Sequence, residues 1–354
     1  MAGGGGGNGF ADMKIGVYLG VPFGLALAIA LIVFNDAASV FDIFARVGFG
    51  LVPVVAVRAS IIAVCAGAWA VLLLDLRGLP LGVWPLLRWI REGINVLLPV
   101  ATVGGEIIGA RLLTFWGVAA GVAGAGILID VLLQASGQAV FALIGVALLA
   151  GVAGAEELTE WALAGTGVAF LALAGFFAAL RFGGVGAIER FVVAQAARWS
   201  KSGSKRAFSI NPLRLAEALG TIWRRPAALG VSLLLHIAAW LMGVLEIWIA
   251  LYWMGHDASF AQALILESLG QALRGAAFPV PGALGVQEGG FILLGQLLGI
   301  DPQTAIALSL VKLVPEIVLG LPALYVWHRL EARLTRSLPP LYRIAGESTT
   351  LAND

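Results

Sequence analysis

Apolar runs of membrane-spanning length recur along this chain, and they restrict what it can fold into more than any other feature. They lie near residues 15–34, 49–74, 112–133, 138–155, 161–182, 227–253 and 303–327. Each is long enough, or nearly so, to cross about 30 Å of hydrocarbon. Inside lipid the backbone must satisfy its own hydrogen bonds, and a helix does this within one segment. Composition agrees: 60% of the 354 residues are hydrophobic and 12% are charged, against roughly 25% charged in soluble domains. The chain therefore reads as an all-α polytopic integral membrane protein. Two interrupted regions, 85–110 and 260–300, bring the expected total to eight to ten membrane segments.

The interruptions carry the chemistry. Residues 279–290 read Pro-Val-Pro-Gly-Ala-Leu-Gly-Val-Gln-Glu-Gly-Gly. Two prolines, four glycines and the carboxylate of Glu288 would not survive together on a lipid-facing helix. Backbone freed at Pro279, Pro281, Gly282 and Gly285 is tolerated only inside a bundle or beside water. An ionisable group at that depth marks a functional site by default. Region 85–110 repeats the wording: Asn95, Pro99, Gly104, Gly105, Glu106 and Arg111. In both regions a glutamate follows the proline by seven residues. Each region has a long apolar span before and after it. The loop charges make the two preceding spans run in opposite directions. These are two Pro/Gly-broken or re-entrant segments, arranged as an inverted repeat.

Further polar residues fall near the breaks at helical spacing. Ser259-Phe-Ala-Gln262 has the form of a capping box. Glu267, Gln271 and Arg274 then share one face. Asp301-Pro302 opens the final span, which carries Lys312 and Glu316 at i, i+4 and a kink expected at Pro315. Asp130 and Gln134 are spaced the same way, and Glu246 follows His236. The expected arrangement is a polar path through the bundle, with carboxylates moving protons or neutralising a headgroup and arginines holding phosphate. The competing reading is structural, with Lys312–Glu316 and Glu267–Arg274 as ion pairs that fix packing.

Loop charge gives the orientation. Segment 183–226 is rich in basic residues, among them Arg190, Arg198, Lys201, Lys205 and Arg206. It is placed in the cytoplasm with loop 75–91 (Arg77, Arg88, Arg91) and a basic tail over 328–354. The turn with Glu156, Glu157 and Glu160 falls outside. Within 183–226, Asn211-Pro212 opens a helix on which Leu215, Leu219, Ile222 and Trp223 share a face, as for an amphipathic helix on the inner leaflet. The remaining divisions are a disordered Gly-rich N-terminus over 1–13 and two membrane halves, 14–182 and 227–327. The first break covers 85–111 and the second 260–300. Trp84, Trp89, Trp161 and Trp253 read as interfacial anchors.

Much is left without support. Cys65 is the lone cysteine, and His236, His256 and His328 are scattered. No metal site, cofactor, catalytic constellation or nucleic-acid partner is expected. There is no phosphate-binding Gly-rich loop and no Gly-x-Ser-x-Gly, so an ATP-driven pump is disfavoured.

The two motifs, Asn95-x3-Pro99-x4-Gly104-Gly105-Glu106-x4-Arg111 and Pro281-Gly282-Ala-Leu-Gly285-Val-Gln287-Glu288, resemble the signature regions of the lysylphosphatidylglycerol synthase transmembrane family. The resemblance spans roughly residues 15–327, and the second motif looks closest to the hopanoid-biosynthesis-associated HpnL branch. It implies a flippase-like, multi-pass membrane domain of a bacterial inner membrane, with lipid partners, hopanoid or anionic phospholipid. The loop charges place the C-terminus in the cytoplasm, and lipid-synthesis enzymes are the partners expected on a scaffold reading. Glu106, Arg111 and Glu288 become the leading substrate contacts, with Lys312 where relatives often have a basic residue. Many relatives carry Glu-Arg at the positions of Gly126 and Ile127, a departure that bears on Asp130. Three functions stay open: a lipid flippase or transporter, an intramembrane enzyme acting on a lipid headgroup, and a scaffold for lipid-synthesis enzymes.

Overall fold

The computed structural model describes residues 26–27, 29–74, 79–98, 104–182, 212–277 and 285–337. Every regular element among these residues is helical. In chain order they are α1 Ala37–Val47, α2 Leu51–Leu73, α3 Val83–Leu97, α4 Gly104–Phe115, α5 Ala120–Leu149, α6 Glu156–Phe182, α7 Pro212–Trp223, α8 Pro226–Trp253, α9 Phe260–Ala276, α10 Val286–Leu297 and α11 Pro302–Ser337. A 3₁₀ turn over Gly48–Gly50 joins α1 to α2.

Five helical stretches among the described residues are long and apolar enough to cross a membrane: Ala37–Leu73, α5, α6, α8 and Pro302–Arg333 of α11. The expected eight to ten segments shrink for two reasons. First, the runs at 112–133 and 138–155 are not two spans, because α5 runs unbroken through the Ala135-Ser136-Gly137-Gln138 stretch. The polar side chains there find partners without breaking the helix: the Ser136 hydroxyl donates to Leu132 O (2.7 Å) and Gln138 donates to Gln271 O on α9 (3.0 Å). Second, the interrupted regions are pairs of short helices. α3, α4, α9 and α10 have 15, 12, 17 and 12 residues, and at about 1.5 Å per residue none reaches across the hydrocarbon alone. The run at 15–34 and the breaks at Pro99, Pro279, Pro281 and Gly282 lie largely or wholly outside the described residues. So do residues 1–13, 183–211 and the end of the tail.

Two apolar cores hold the bundle. One gathers α2, α3, α4, the N-terminal half of α5 and α7, around Trp69, Ile90, Leu112 and Ile129. The other gathers α1, the C-terminal half of α5 and α8 to α11, around Phe141, Ile247, Leu266, Leu294 and Ile306. α2 and α8 join the cores by packing antiparallel along their lengths. Gly50 lies under the Trp253 ring, Arg58 reaches Glu246, and Gly67 meets Leu235. Around this pair, α3 packs on α11 and α9 on α5. A Cβ on Gly93 would come within 2.7 Å of the Ala323 Cβ, so the α3–α11 crossing depends on that glycine.

Several expectations change. Arg88 and Arg91 are not loop charges; both sit on α3 and are buried. Leu215, Leu219 and Ile222 of α7 do not face lipid. They join the first core, where α7 lies so close to α5 that a Cβ on Gly121 would press on the Arg214 backbone. Trp84 is buried edge-on against Trp69, with centroids 5.3 Å apart, and Trp89 donates to Leu319 O (2.8 Å). Trp161 and Trp253 are exposed as expected. The predicted starts hold: Ser259 and Gln262 form the capping box of α9, α7 begins at Pro212, and Asp301 caps α11 through Thr304 N (2.9 Å). α11 runs on through Pro315 and Pro322 and past residue 327 to Ser337.

Candidate functional site

The buried charges gather in two networks, one in each half. The first is built on α3, α4, α5 and α8. Arg88 and Arg91 stand one turn apart on α3 and converge on Asp130 Oδ2, at 3.3 and 2.9 Å. His236 of α8 meets the other carboxylate oxygen through Nε2, at 3.1 Å. Arg88 also donates to Gln134 (3.0 Å) and lies 3.5 Å from Glu92. The Arg91 guanidinium lies 4.6 Å above the Trp69 ring and forms an ion pair with Glu106. Asn95 closes the group: its amide donates to Glu106 (3.0 Å) and its oxygen accepts from Gly105 N (2.9 Å).

The glycines of the first break make this contact possible. A Cβ on Gly105 would clash with Arg91 O and lie 2.5 Å from Asn95 Oδ1. One on Gly109 would lie 2.6 Å from Arg91 Cδ. Helices α3 and α4 therefore approach closely enough for Glu106 to reach an arginine on the preceding helix. A buried ion pair gains stability only when such further hydrogen bonds complete its geometry.

The second network is built on α2, α8, α9 and α11. Lys312 is buried and donates to Glu267 (2.5 Å), with Glu246 3.9 Å away. Glu267 also accepts from Gln271 (2.8 Å), and Glu246 accepts from Arg58 (2.7 Å). Arg274 pairs with Glu316 (2.5 Å) and touches Gln287 (3.4 Å). The expected Lys312–Glu316 and Glu267–Arg274 pairs are therefore exchanged. Partners are taken across helices, Lys312 to α9 and Arg274 to α11. This ties α11 to α9 where in-helix pairs would leave each helix self-contained.

A cavity of about 10 Å³ lies between α2, α3 and α11. Arg58, Trp89, Glu92, Glu316 and Leu319 are among the residues that line it. It has about the room that one water needs. Glu92 belongs to the first network, and Arg58 and Glu316 to the second, so the cavity lies where the two meet.

Of the predicted residues, Asn95, Glu106 and Asp130 come together in the first network, and Glu267, Gln271, Arg274, Lys312 and Glu316 in the second. Arg111 joins neither: it pairs with Glu331 of α11 (2.6 Å) beside the Phe115 ring. Glu288 is buried and accepts from Gly285 N (2.7 Å), which bends back at φ 78°. It closes the first turn of α10. Arg58, Arg88, Arg91 and Glu92 were not anticipated. For Arg58 the signal was present, since a lone arginine in the apolar run 51–73 needs a buried partner. No group of three or more metal-ligating side chains occurs among the described residues.

Residues 21–314 match the lysylphosphatidylglycerol synthase TM region family, and the chain belongs to it. No curated protein matches, and no solved structure does.

Proposed function

We propose that this member of the lysylphosphatidylglycerol synthase transmembrane family moves a polar lipid between the leaflets of a bacterial inner membrane. The cargo we assign is a hopanoid bearing a polar head or a related anionic lipid, following the HpnL-like wording of the second motif. The observation that carries the reading is the pair of buried charge networks meeting at a small cavity. A lipid crossing hydrocarbon needs its head shielded while its tails stay in the bilayer. Fixed charges already desolvated and paired inside the bundle can exchange partners with a headgroup at lower cost than charges stripped from water.

The halves are also read as an inverted repeat. Adding 182 to a residue number carries Pro99 to Pro281, Glu106 to Glu288, Asp130 to Lys312 and Gln134 to Glu316. It carries Gly104–Phe115 to Val286–Leu297 and the start of α5 at Ala120 to that of α11 at Pro302. The contacts follow the same rule, with α3 on α11 answered by α9 on α5, and α2 packed antiparallel on α8. Such repeats place substrate sites between their halves.

The test is a leaflet-resolved assay of fluorescent lipids in proteoliposomes, with hopanoids and anionic phospholipids in the panel. Transfer above protein-free vesicles is expected. A chemically altered headgroup among the products would favour the enzyme reading. Intact lipids that never change leaflet would favour the scaffold.

A further inference from the structure

The repeat makes a stronger statement when it is applied to the cavity. Its lining residues Arg58, Trp89, Glu316, Leu319 and Gly320 become Trp240, Gln271, Gln134, Gly137 and Gln138 under the same shift of 182. These five positions also come together, between α8, α9 and α5. The Trp240 indole donates to Gln134 O (3.1 Å), lies 3.4 Å from where a Cβ on Gly137 would sit, and stacks on Phe141 with centroids 6.3 Å apart. Gln138, where its twin is Gly320, reaches across to Gln271 O (3.0 Å). At the other site Trp89 instead donates to Leu319 O (2.8 Å).

The twin site is thus filled by an indole and an amide. In the open half, the residue corresponding to Trp240 is Arg58, whose guanidinium is drawn to Glu246 on α8, and a cavity remains beside it. One chain therefore holds the same inter-helix space in two conditions, with a water-sized cavity at α2–α3–α11, here called open, and close packing at α8–α9–α5, here called closed.

We propose that the closed site is a second cavity of the transport path, with Trp240 as its plug, and that it opens towards the opposite membrane face when the first one closes. The inference rests on the transport reading for its purpose, but its geometry stands apart from it. The two cavities differ in chemistry. The open one is lined by Arg58, Glu92 and Glu316, whereas the closed one offers the indole of Trp240 and the amides of Gln134 and Gln138. A headgroup would meet charges of both signs on one side and neutral hydrogen-bonding groups on the other.

The test uses the full chain in proteoliposomes, with Cys65→Ser and a single cysteine at Leu319 or at Gln138. A membrane-impermeant maleimide is applied from either side. With Trp240 intact, the cysteine at 319 is expected to label from one face and that at 138 to stay protected. Trp240→Ala should raise labelling at 138 about tenfold or more, from the opposite face, and lower it at 319, as a shift between two states requires. Protection at 138 that survives Trp240→Ala, or labelling of both positions from one face, would overturn the proposal. Gel filtration reports folding. If Trp240→Ala does not fold, Trp240→Phe keeps a ring but loses the bond to Gln134 and should give the same change at smaller size. Lipid transfer is read in the same vesicles. Exchanged labelling with no transfer would refute the transport reading alone, and transfer with unchanged labelling would refute the second cavity alone.

Discussion

Asp130 and Lys312 each stand, buried, at the centre of a charge network, yet their surroundings are opposite in sign. Asp130 is one carboxylate among two guanidiniums and an imidazole. Lys312 is one ammonium between two carboxylates. Each centre is buried and each is the hub of its network. The difference teaches that burial alone does not choose the sign of a central charge; the partners packed around it do. On the proposed transport reading, the arginine-rich network would receive an anion if Asp130 yields, and the carboxylate-rich network a cation if Lys312 yields.

The largest expected effect comes from removing the hubs. Asp130→Ala leaves Arg88 and Arg91 buried with Glu92 and Glu106 as their remaining counter-charges, and should cost about 3–5 kcal/mol in thermal or chemical unfolding. Lys312→Met leaves Glu267 without its ammonium partner, while Glu246 keeps Arg58, and should cost a similar amount. A loss of less than about 1 kcal/mol at either hub would mean that its opposite-charge partners have little energetic meaning.

Next in size are the glycines that let α4 approach α3. Gly109→Ala forces a Cβ against Arg91 Cδ and should cost about 1–3 kcal/mol, with transport falling as the Arg91–Glu106 pair is pushed apart. Gly289, near the start of α10, has open space at its Cβ, so Gly289→Ala should be neutral or slightly stabilising. Equal losses at both would mean that the loss at Gly109 does not come from the contact with Arg91.

A smaller structural effect is expected at Glu288. Glu288→Gln keeps an oxygen that can accept from Gly285 N, so stability should change by less than about 1 kcal/mol. If the carboxylate also serves transport, lipid transfer will fall steeply although the fold is kept. Normal transfer by a stable Glu288→Gln protein would leave this residue as a cap and put the functional carboxylates in the two networks.

The smallest effect lies at the starts of α5 and α11. Ala119 precedes α5 without a side-chain cap. Its counterpart Asp301 caps α11 through Thr304 N and Oγ1. Partial burial raises the Asp301 carboxyl, but the bonds from Thr304 outweigh it and hold the group below its ordinary value. Its contribution is therefore present above the unfolded carboxylate range and is lost as pH falls through the lower folded value. Asp301→Ala should cost about 1 kcal/mol at neutral pH and nothing once the acid limb is reached. A constant difference across pH would show that the cap acts through its shape alone.

Much of this was legible in the linear sequence. The apolar runs required a helical membrane protein, because lipid offers backbone groups no partner other than their own helix. The capping residues at Ser259 and Asp301 marked two helix starts. Each of these signals acts within a few residues of itself. What only the tertiary structure decided was who meets whom. It merged two expected spans into α5, since Ser136 and Gln138 found partners. It moved Arg88 and Arg91 from a loop to the interior and sent Arg111 away to Glu331. It also exchanged the pairings of Glu267, Arg274, Lys312 and Glu316. A buried charge takes the partner that packing brings within reach, and that choice is made between helices far apart in the chain.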